Sequence, residues 1–331
     1  KTLLDPQHLL NPGVLLNADP QVHLKHLKPL PAADPLIDKC IECGFCEPKC
    51  PSRGLTLSPR QRIAGWREIA RLERLPEDAE CPVAALRRLY DYHGIDTCAG
   101  CGLCATACPV AIETGTLIKA LRGRRAGAIA DRAGDRAARQ FGAVTQGVRA
   151  GLWCADAIHG LIGTGAMRSI TGAARRITGG AAPLWRPAMP RAARFALPGP
   201  ARTAPARAPN PIVYFPSCAT RAMGPARGSP DVETVPVVTD RLLRRAGFDV
   251  VYPDGLDDFC CGQPFDSKGL AAAADRKSAE LEAALMKASD GGRNPIVFDT
   301  SPCAYRMKRR LEGRLAVMDI VEFAHDVLLD R

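Results

Sequence analysis

At 331 residues the chain is long enough for about two ordinary domains, and its 14 cysteines exclude the small disulfide-stapled class. Cysteine at this frequency in a chain of this size points to metal or redox chemistry in a reducing compartment, hence the cytoplasm. The net charge of +10 is uneven: residues 119–207 hold 16 Lys and Arg against Asp131, Asp135 and Asp156, a balance of +13 that leaves −3 elsewhere.

No apolar run reaches the roughly 18 to 20 residues that span a bilayer. The nearest, residues 143–167, carries Arg149 and Asp156 near its middle. No signal peptide is visible, although the chain opens on Lys1 rather than Met.

Residues 1–38 read as a short helical or turn segment, "LLDPQHLLNPG", and a proline-broken connector, too little for a domain. His23 and His26 within it are spaced as on one helical turn, but Pro20 and Pro29 flank them and no acid stands nearby, so no metal role is assigned.

Residues 39–118 carry the strongest signal. "KCIECGFCEPKCP" spaces Cys40, Cys43, Cys46 and Cys50 as C-x2-C-x2-C-x3-C-P, and "TCAGCGLCATACP" repeats the spacing at Cys98, Cys101, Cys104 and Cys108. Three cysteines so spaced wrap a loop around one iron–sulfur cube, while the fourth ligates the other cluster in two-cluster proteins. The expected sets are therefore Cys40, Cys43, Cys46 and Cys108 for cluster I, and Cys98, Cys101, Cys104 and Cys50 for cluster II, both [4Fe-4S]. Gly44 and Gly102 follow the second cysteine of each repeat, where the loop must turn tightly. Four thiolates also bind zinc, but zinc sites usually pair two separated C-x2-C knuckles rather than eight cysteines in this register.

Between the repeats, "SPRQRIAGWREIARLERL" predicts an amphipathic helix with Ser58 at the N-cap, Pro59 at N1, and Ile63, Trp66, Ile69, Ala70 and Leu72 at helical spacing. "PVAALRRLYDYHG" predicts a second, stopped by Gly94. Cys81 is expected in the core near the clusters. Two clusters in series make a path for single electrons.

Residues 119–182 are rich in Ala, Gly and Arg and helical in period, with Val144, Val148, Leu152, Ala155 and Ile162 along one face. Cys154, beside Trp153, is expected to be buried on it. Eight prolines in the 29 residues 183–211 read as a linker. The basic stretch could lie on an anionic membrane surface, the inner face of the cytoplasmic membrane, or pack as a linker on another domain. Nucleic acid is not an expected partner, since aromatics are few and no binding module is visible.

From 212 onward strand and helix alternate: "PIVYFPSC", "VVTDRLLRRAG" closed by Gly247, "FDVVYP", the helix "LAAAADRKSAELEAALMKAS", "PIVFD", and a final helical stretch. This predicts a parallel, three-layer α/β domain. Its cysteines, Cys218, Cys260, Cys261 and Cys303, are separated by 41 residues on either side of the central pair. They follow predicted strands, where ligands of open α/β sheets gather. A set of four buried structural cysteines is the plain alternative.

The run "DDFCCGQPFDSKG" with "PSC" and "DTSPC" resembles the cysteine-rich CCG domain of heterodisulfide reductase subunits and glycolate oxidase iron–sulfur subunits. Members typically end in C-x2-C and carry two copies. Here the run is Cys303-Ala-Tyr-Arg306 in one copy, which leaves four cysteines with an iron–sulfur cluster or zinc as candidate occupants.

In chain order, "LLDPQHLLNPGVLLN", "DKCIECGFCEPKCPSRGLTLSPRQRI", "PSCATRAMG" and "CCGQPFDSKG" make the whole similar to the C-terminal part of FAD-binding, iron–sulfur D-lactate dehydrogenases. The resemblance implies an α+β multi-domain chain: the end of an FAD-linked oxidase domain with its connector (1–38), a helical ferredoxin domain (39–118), a basic helical and proline-rich region (119–211), and a CCG α/β domain (212–331). It implies FAD upstream, in the same polypeptide or a partner subunit. Electrons from a D-2-hydroxy acid, most simply D-lactate, would pass through the clusters to a quinone or cytochrome. No flavin or nucleotide motif lies in the chain itself, so no catalytic residue is named. The alternatives are a separate iron–sulfur subunit of a glycolate, lactate or glycerol-3-phosphate oxidase, a heterodisulfide-reductase-like protein, and an iron–sulfur redox sensor.

Overall fold

The structure is a computed structural model. It describes all residues except 15, 26–29, 76–82, 181, 194–209 and 330–331. His26 and Cys81 lie outside the described residues. The chain divides into two compact units, Lys1–Ile118 and Lys119–Arg331.

In the first unit the described residues before position 59 run as turns around a 3-10 turn at Val22–Leu24 rather than as α-helix. His23 sits exposed there. Helix α1 (Pro59–Leu72) starts where the sequence places it: the Ser58 side chain accepts from the Gln61 N–H while the Gln61 side chain accepts from the Ser58 N–H, a capping box. Ile63 and Ile69 are buried on its inner face. Helix α2 (Val83–Tyr90) differs from expectation at its end, because the chain continues into a π turn, Asp91–Asp96, that contains Gly94. Gly94 is needed there for space: a Cβ on it would stand 2.7 Å from the Tyr90 ring. A single turn, α3 (Leu103–Thr106), follows within the second cysteine repeat, and α4 (Thr114–Arg139) begins beyond it, broken at Gly127 where φ is 72°.

The second unit holds α5 (Phe141–Ile177), broken at Gly163, and then β1 (Pro190–Ala192) within the proline-rich stretch. Its sheet has the order β4-β2-β5-β6, all parallel, from β2 (Pro211–Phe215), β4 (Asp249–Val251), β5 (Ile296–Phe298) and β6 (Val317–Asp319). The central runs Ile212–Phe215 and Ile296–Phe298 are wholly buried, as expected of parallel strands covered on both faces. Strand β6 lies in what the sequence suggested was a continuous helical stretch. The connecting helices are α6 (Cys218–Ala222), α7 (Val235–Arg245), α8 (Gln263–Asp266), α9 (Ala271–Ala288), α10 (Ser301–Leu311) and α11 (Ile320–Phe323).

Residues 119–193 are not a free linker. β1 pairs antiparallel with β3 (Met223–Ala226). Ala138 and Phe141 pack with Cys260, Phe265, Ala273 and Ala274 in one buried cluster. Cys154 is exposed rather than buried, because the inward face of α5 falls on Phe141, Arg149, Leu152 and Asp156 instead.

Candidate iron–sulfur sites

Two cavities in the first unit hold the repeated cysteines. One is lined by Cys40, Cys43, Cys46 and Cys108. The other is lined by Cys98, Cys101, Cys104 and Cys50. Each takes three thiols from one repeat and the fourth from the other, and Thr114 lines both.

The repeated sequence produces a repeated backbone. The residue two after the first cysteine has positive φ in both loops, 57° at Glu42 and 62° at Gly100. So does the residue after the second cysteine, 85° at Gly44 and 77° at Gly102. That twist turns the Glu42 N–H onto Cys40 Sγ at 3.4 Å and the Gly100 N–H onto Cys98 Sγ at 3.4 Å. Amide hydrogen bonds to sulfur favour the thiolate and tune the potential of an iron–sulfur cluster. Burial pushes the Cys46 thiol up to about 11, and it also raises Cys104 against the N–H groups of Thr114 and Gly115. A cationic iron–sulfur core would supply the charge that keeps such buried sulfurs ionised.

Two arginines of α1 fasten the loops. The Arg67 guanidinium, 2% exposed, donates to the carbonyls of Ile37, Asp38 and Cys40 and pairs with Glu42 at 3.3 Å. Arg62, 1% exposed, donates to the Gly94 carbonyl at 2.8 Å and the Thr97 hydroxyl at 3.2 Å, and approaches Cys50 Sγ at 3.7 Å. The Tyr90 hydroxyl in turn donates to the Arg62 carbonyl. Neither arginine was singled out from the sequence. The available signal was a basic residue beside the apolar positions of α1, Arg62 next to Ile63 and Arg67 next to Trp66.

In the second unit the sheet brings together cysteines far apart in sequence. Cys218 opens α6 just past β2, Cys260 and Cys261 follow the 3-10 turn Leu256–Asp258 after β4, and Cys303 sits in the first turn of α10 after β5. Cys218 Sγ lies 3.8 Å from Cys260 Sγ, and Cys261 Sγ 3.0 Å from Cys303 Sγ. The Gly262 N–H meets Cys260 Sγ at 3.4 Å, repeating the device of the first unit, with Gly262 at φ 86°.

The thiols differ in charge preference. Donation from Cys218 and Cys261, then from Gly262, with Arg221 nearby, holds Cys260 well below the usual thiol range, while Cys218 and Cys261 are pushed up by sharing that proton-poor neighbour and by burial. Arg221, 4% exposed, is fixed by the carbonyls of Pro216, Leu256 and Phe259. Asp299, its carboxyl pKa raised by burial, takes hydrogen bonds from the Ser217 N–H and the Thr220 and Tyr214 hydroxyls and so sets the loop that presents Cys218. Arg306, at the position of the missing fifth cysteine, donates to the Cys261 carbonyl at 2.9 Å and pairs with Asp266 at 3.1 Å.

A tetrahedral zinc–thiolate site would draw its sulfurs to about 3.8 Å of one another. Among the described residues no three His, Cys, Asp or Glu side chains are grouped to hold a single metal ion. The four-cysteine cavities suit a multi-iron core, which spreads its ligands more widely. The second-unit cysteines stand instead as two contacting pairs, and no occupant is assigned to them.

A family model described as a 4Fe-4S dicluster domain matches residues 36–112. The chain is 34% identical over 97 residues to a subunit of the dihydromethanophenazine:CoB–CoM heterodisulfide reductase of Methanosarcina mazei, covering 26% of this chain and 23% of that protein. The corresponding protein of Methanosarcina acetivorans is 33% identical with the same coverage. The chain thus spans about a quarter of the length of these relatives. No solved structure matches it. Residues 36–112 thus match a 4Fe-4S dicluster domain, a finding that supports an iron–sulfur electron-transfer role for this part of the chain.

Proposed function

We propose that the chain is the electron-relay part of a heterodisulfide-reductase-like iron–sulfur oxidoreductase, working with partner subunits or domains. The observation that carries the reading is the exchange of cysteines: Cys50 lines the cavity of the second repeat and Cys108 that of the first. Clusters bound there would supply one-electron transfer. The chain's own residues do the rest. Arg62 and Arg67 hold the two loops in register on one helix, backbone N–H groups stabilise the sulfurs, and Thr114 forms a common wall. Similarity to proteins named as heterodisulfide reductase subunits supports the class of reaction.

The second reading is the relay part of an FAD-dependent D-2-hydroxy-acid dehydrogenase, with D-lactate as the substrate. It is favoured by the segment "LLDPQHLLNPGVLLN", where Leu3, Leu4, Leu9, Leu10 and Val14 are all exposed, an apolar surface suited to a flavin domain.

The test is iron, acid-labile sulfide and zinc per chain on anaerobically purified protein, with EPR after dithionite. About eight irons and two interacting spins are expected. Zinc in their place would sink the relay. Reoxidation of the reduced chain by a low-molecular-weight disulfide would favour the first reading. Reduction of the chain by a D-2-hydroxy acid in the presence of its flavoprotein would favour the second.

A further inference from the structure

Helix α5 wears its charge on the wrong side for a helix facing water. Between Phe141 and Ile162 the acidic and basic side chains are Arg149, Asp156 and His159, and all three turn inward. Arg149 donates to the Ala193 carbonyl, Asp156 pairs with Arg191 at 3.1 Å and Arg227 at 2.8 Å, and His159 stacks on Trp185 at 4.5 Å. The outward face is left to uncharged residues over about 33 Å of helix. Val144, Trp153, Ile158, Leu161 and Ile162 are exposed on it, Leu161 to 86% and Trp153 to 66%. Singly such residues mean little, but a continuous uncharged face of this length marks an interaction surface.

The surroundings say what covers it. From Ala157 to Pro230 the chain contains no Asp or Glu and ten arginines. Past the break at Gly163, Arg168, Arg175 and Arg176 are exposed on the same helix, beside Ile170 at 58% and Ile177 at 86%. An apolar face with an interfacial tryptophan and flanking arginines is the chemistry of a helix lying in an anionic bilayer surface. No helix among the described residues is long and apolar enough to cross a membrane, so the contact is with the surface.

We propose that the outward face of α5 docks this chain onto an anionic lipid membrane, with Trp153, Ile158 and Leu161 entering the headgroup boundary and Arg168 and Arg176 meeting lipid phosphates. The assignment stands independently of the cluster ligands and of the substrate.

Flotation of the full chain with vesicles of phosphatidylglycerol and phosphatidylcholine, against vesicles of phosphatidylcholine alone, tests it. Binding to the anionic vesicles is expected, weakened as salt approaches about 1 M. Leu161→Asp, at an exposed position, lowers partitioning at least about tenfold. The pair Arg168→Gln and Arg176→Gln lowers it on the order of 25-fold, about fivefold per arginine. Anionic vesicles should also shift tryptophan emission to the blue, and Trp153→Phe should remove that shift. Absence of flotation with anionic vesicles, or flotation unchanged by Leu161→Asp, overturns the proposal. A dimer abolished by Leu161→Asp, without flotation, would assign the face to a second copy of the chain.

Discussion

The two units gather cysteines by opposite routes. In the first, each set of three sits within seven residues, and the fold has only to bring in one thiol from the other repeat. In the second, each pair joins cysteines 42 residues apart, and only the parallel sheet delivers them to one edge. Both nonetheless use an N–H two residues after a cysteine, turned onto its sulfur at 3.4 Å by left-handed backbone nearby. Local spacing can specify a ligand loop directly, whereas a dispersed set depends on every strand and turn between its members.

The comparison breaks most sharply at the arginines. Arg67→Ala removes the ion pair to the Glu42 carboxylate together with three hydrogen bonds to loop carbonyls and should cost the first unit about 3–5 kcal/mol, with loss of iron, while Arg67→Lys recovers only part. Urea denaturation followed by circular dichroism and by iron release measures both effects. At the glycines the units separate. Gly262→Ala places a Cβ 2.3 Å from the Ala274 carbonyl oxygen at φ 86°, and should destabilise the second unit by about 2–4 kcal/mol. Gly44→Ala meets only ordinary contacts, the nearest at 3.6 Å, and should cost the first unit about 1–2 kcal/mol from backbone strain alone. Equal losses at the two positions would mean that crowding does not distinguish the loops.

The smallest effect is electrostatic. Burial raises the Asp156 carboxyl, but Arg227 and Arg191 outweigh it and hold the folded value below the ordinary 3.8. A depressed folded value contributes stability that is present above the unfolded value and lost as pH falls through the folded one. Asp156→Asn should therefore lower stability by about 1 kcal/mol or less at pH 5 to 7, and the difference from wild type should shrink on acidification from about 3.8 and vanish once the pH is below the depressed folded value. Urea titrations at several pH values read this directly.

Much of the first unit was legible because its signals are short-range: the doubled spacing, the Ser58 cap and the apolar period of α1. The end of α2 was not, since the stop expected at Gly94 depends on the Tyr90 ring lying over it. The alternation of strand and helix past residue 211 was readable, but β6 was hidden because Val317–Asp319 is only three residues long between helical segments. Cys154 was misplaced because an apolar period marks a face without saying whether that face meets the core or a partner, and here Arg149 and Asp156 take the inside. Arg62, Arg67, Arg221 and Asp299 escaped notice for one reason. Their roles are made by carbonyls and hydroxyls from other segments.

The central claim is that each repeat completes the other's cluster. Iron, sulfide and dithionite-reduced EPR on Cys50→Ser, Cys98→Ser and Cys40→Ser test it most directly. The account predicts that Cys50→Ser matches Cys98→Ser, leaving the spectrum of the cluster bound by Cys40, Cys43, Cys46 and Cys108. A Cys50→Ser spectrum matching Cys40→Ser instead would show that each repeat binds its own cluster, and would contradict the account.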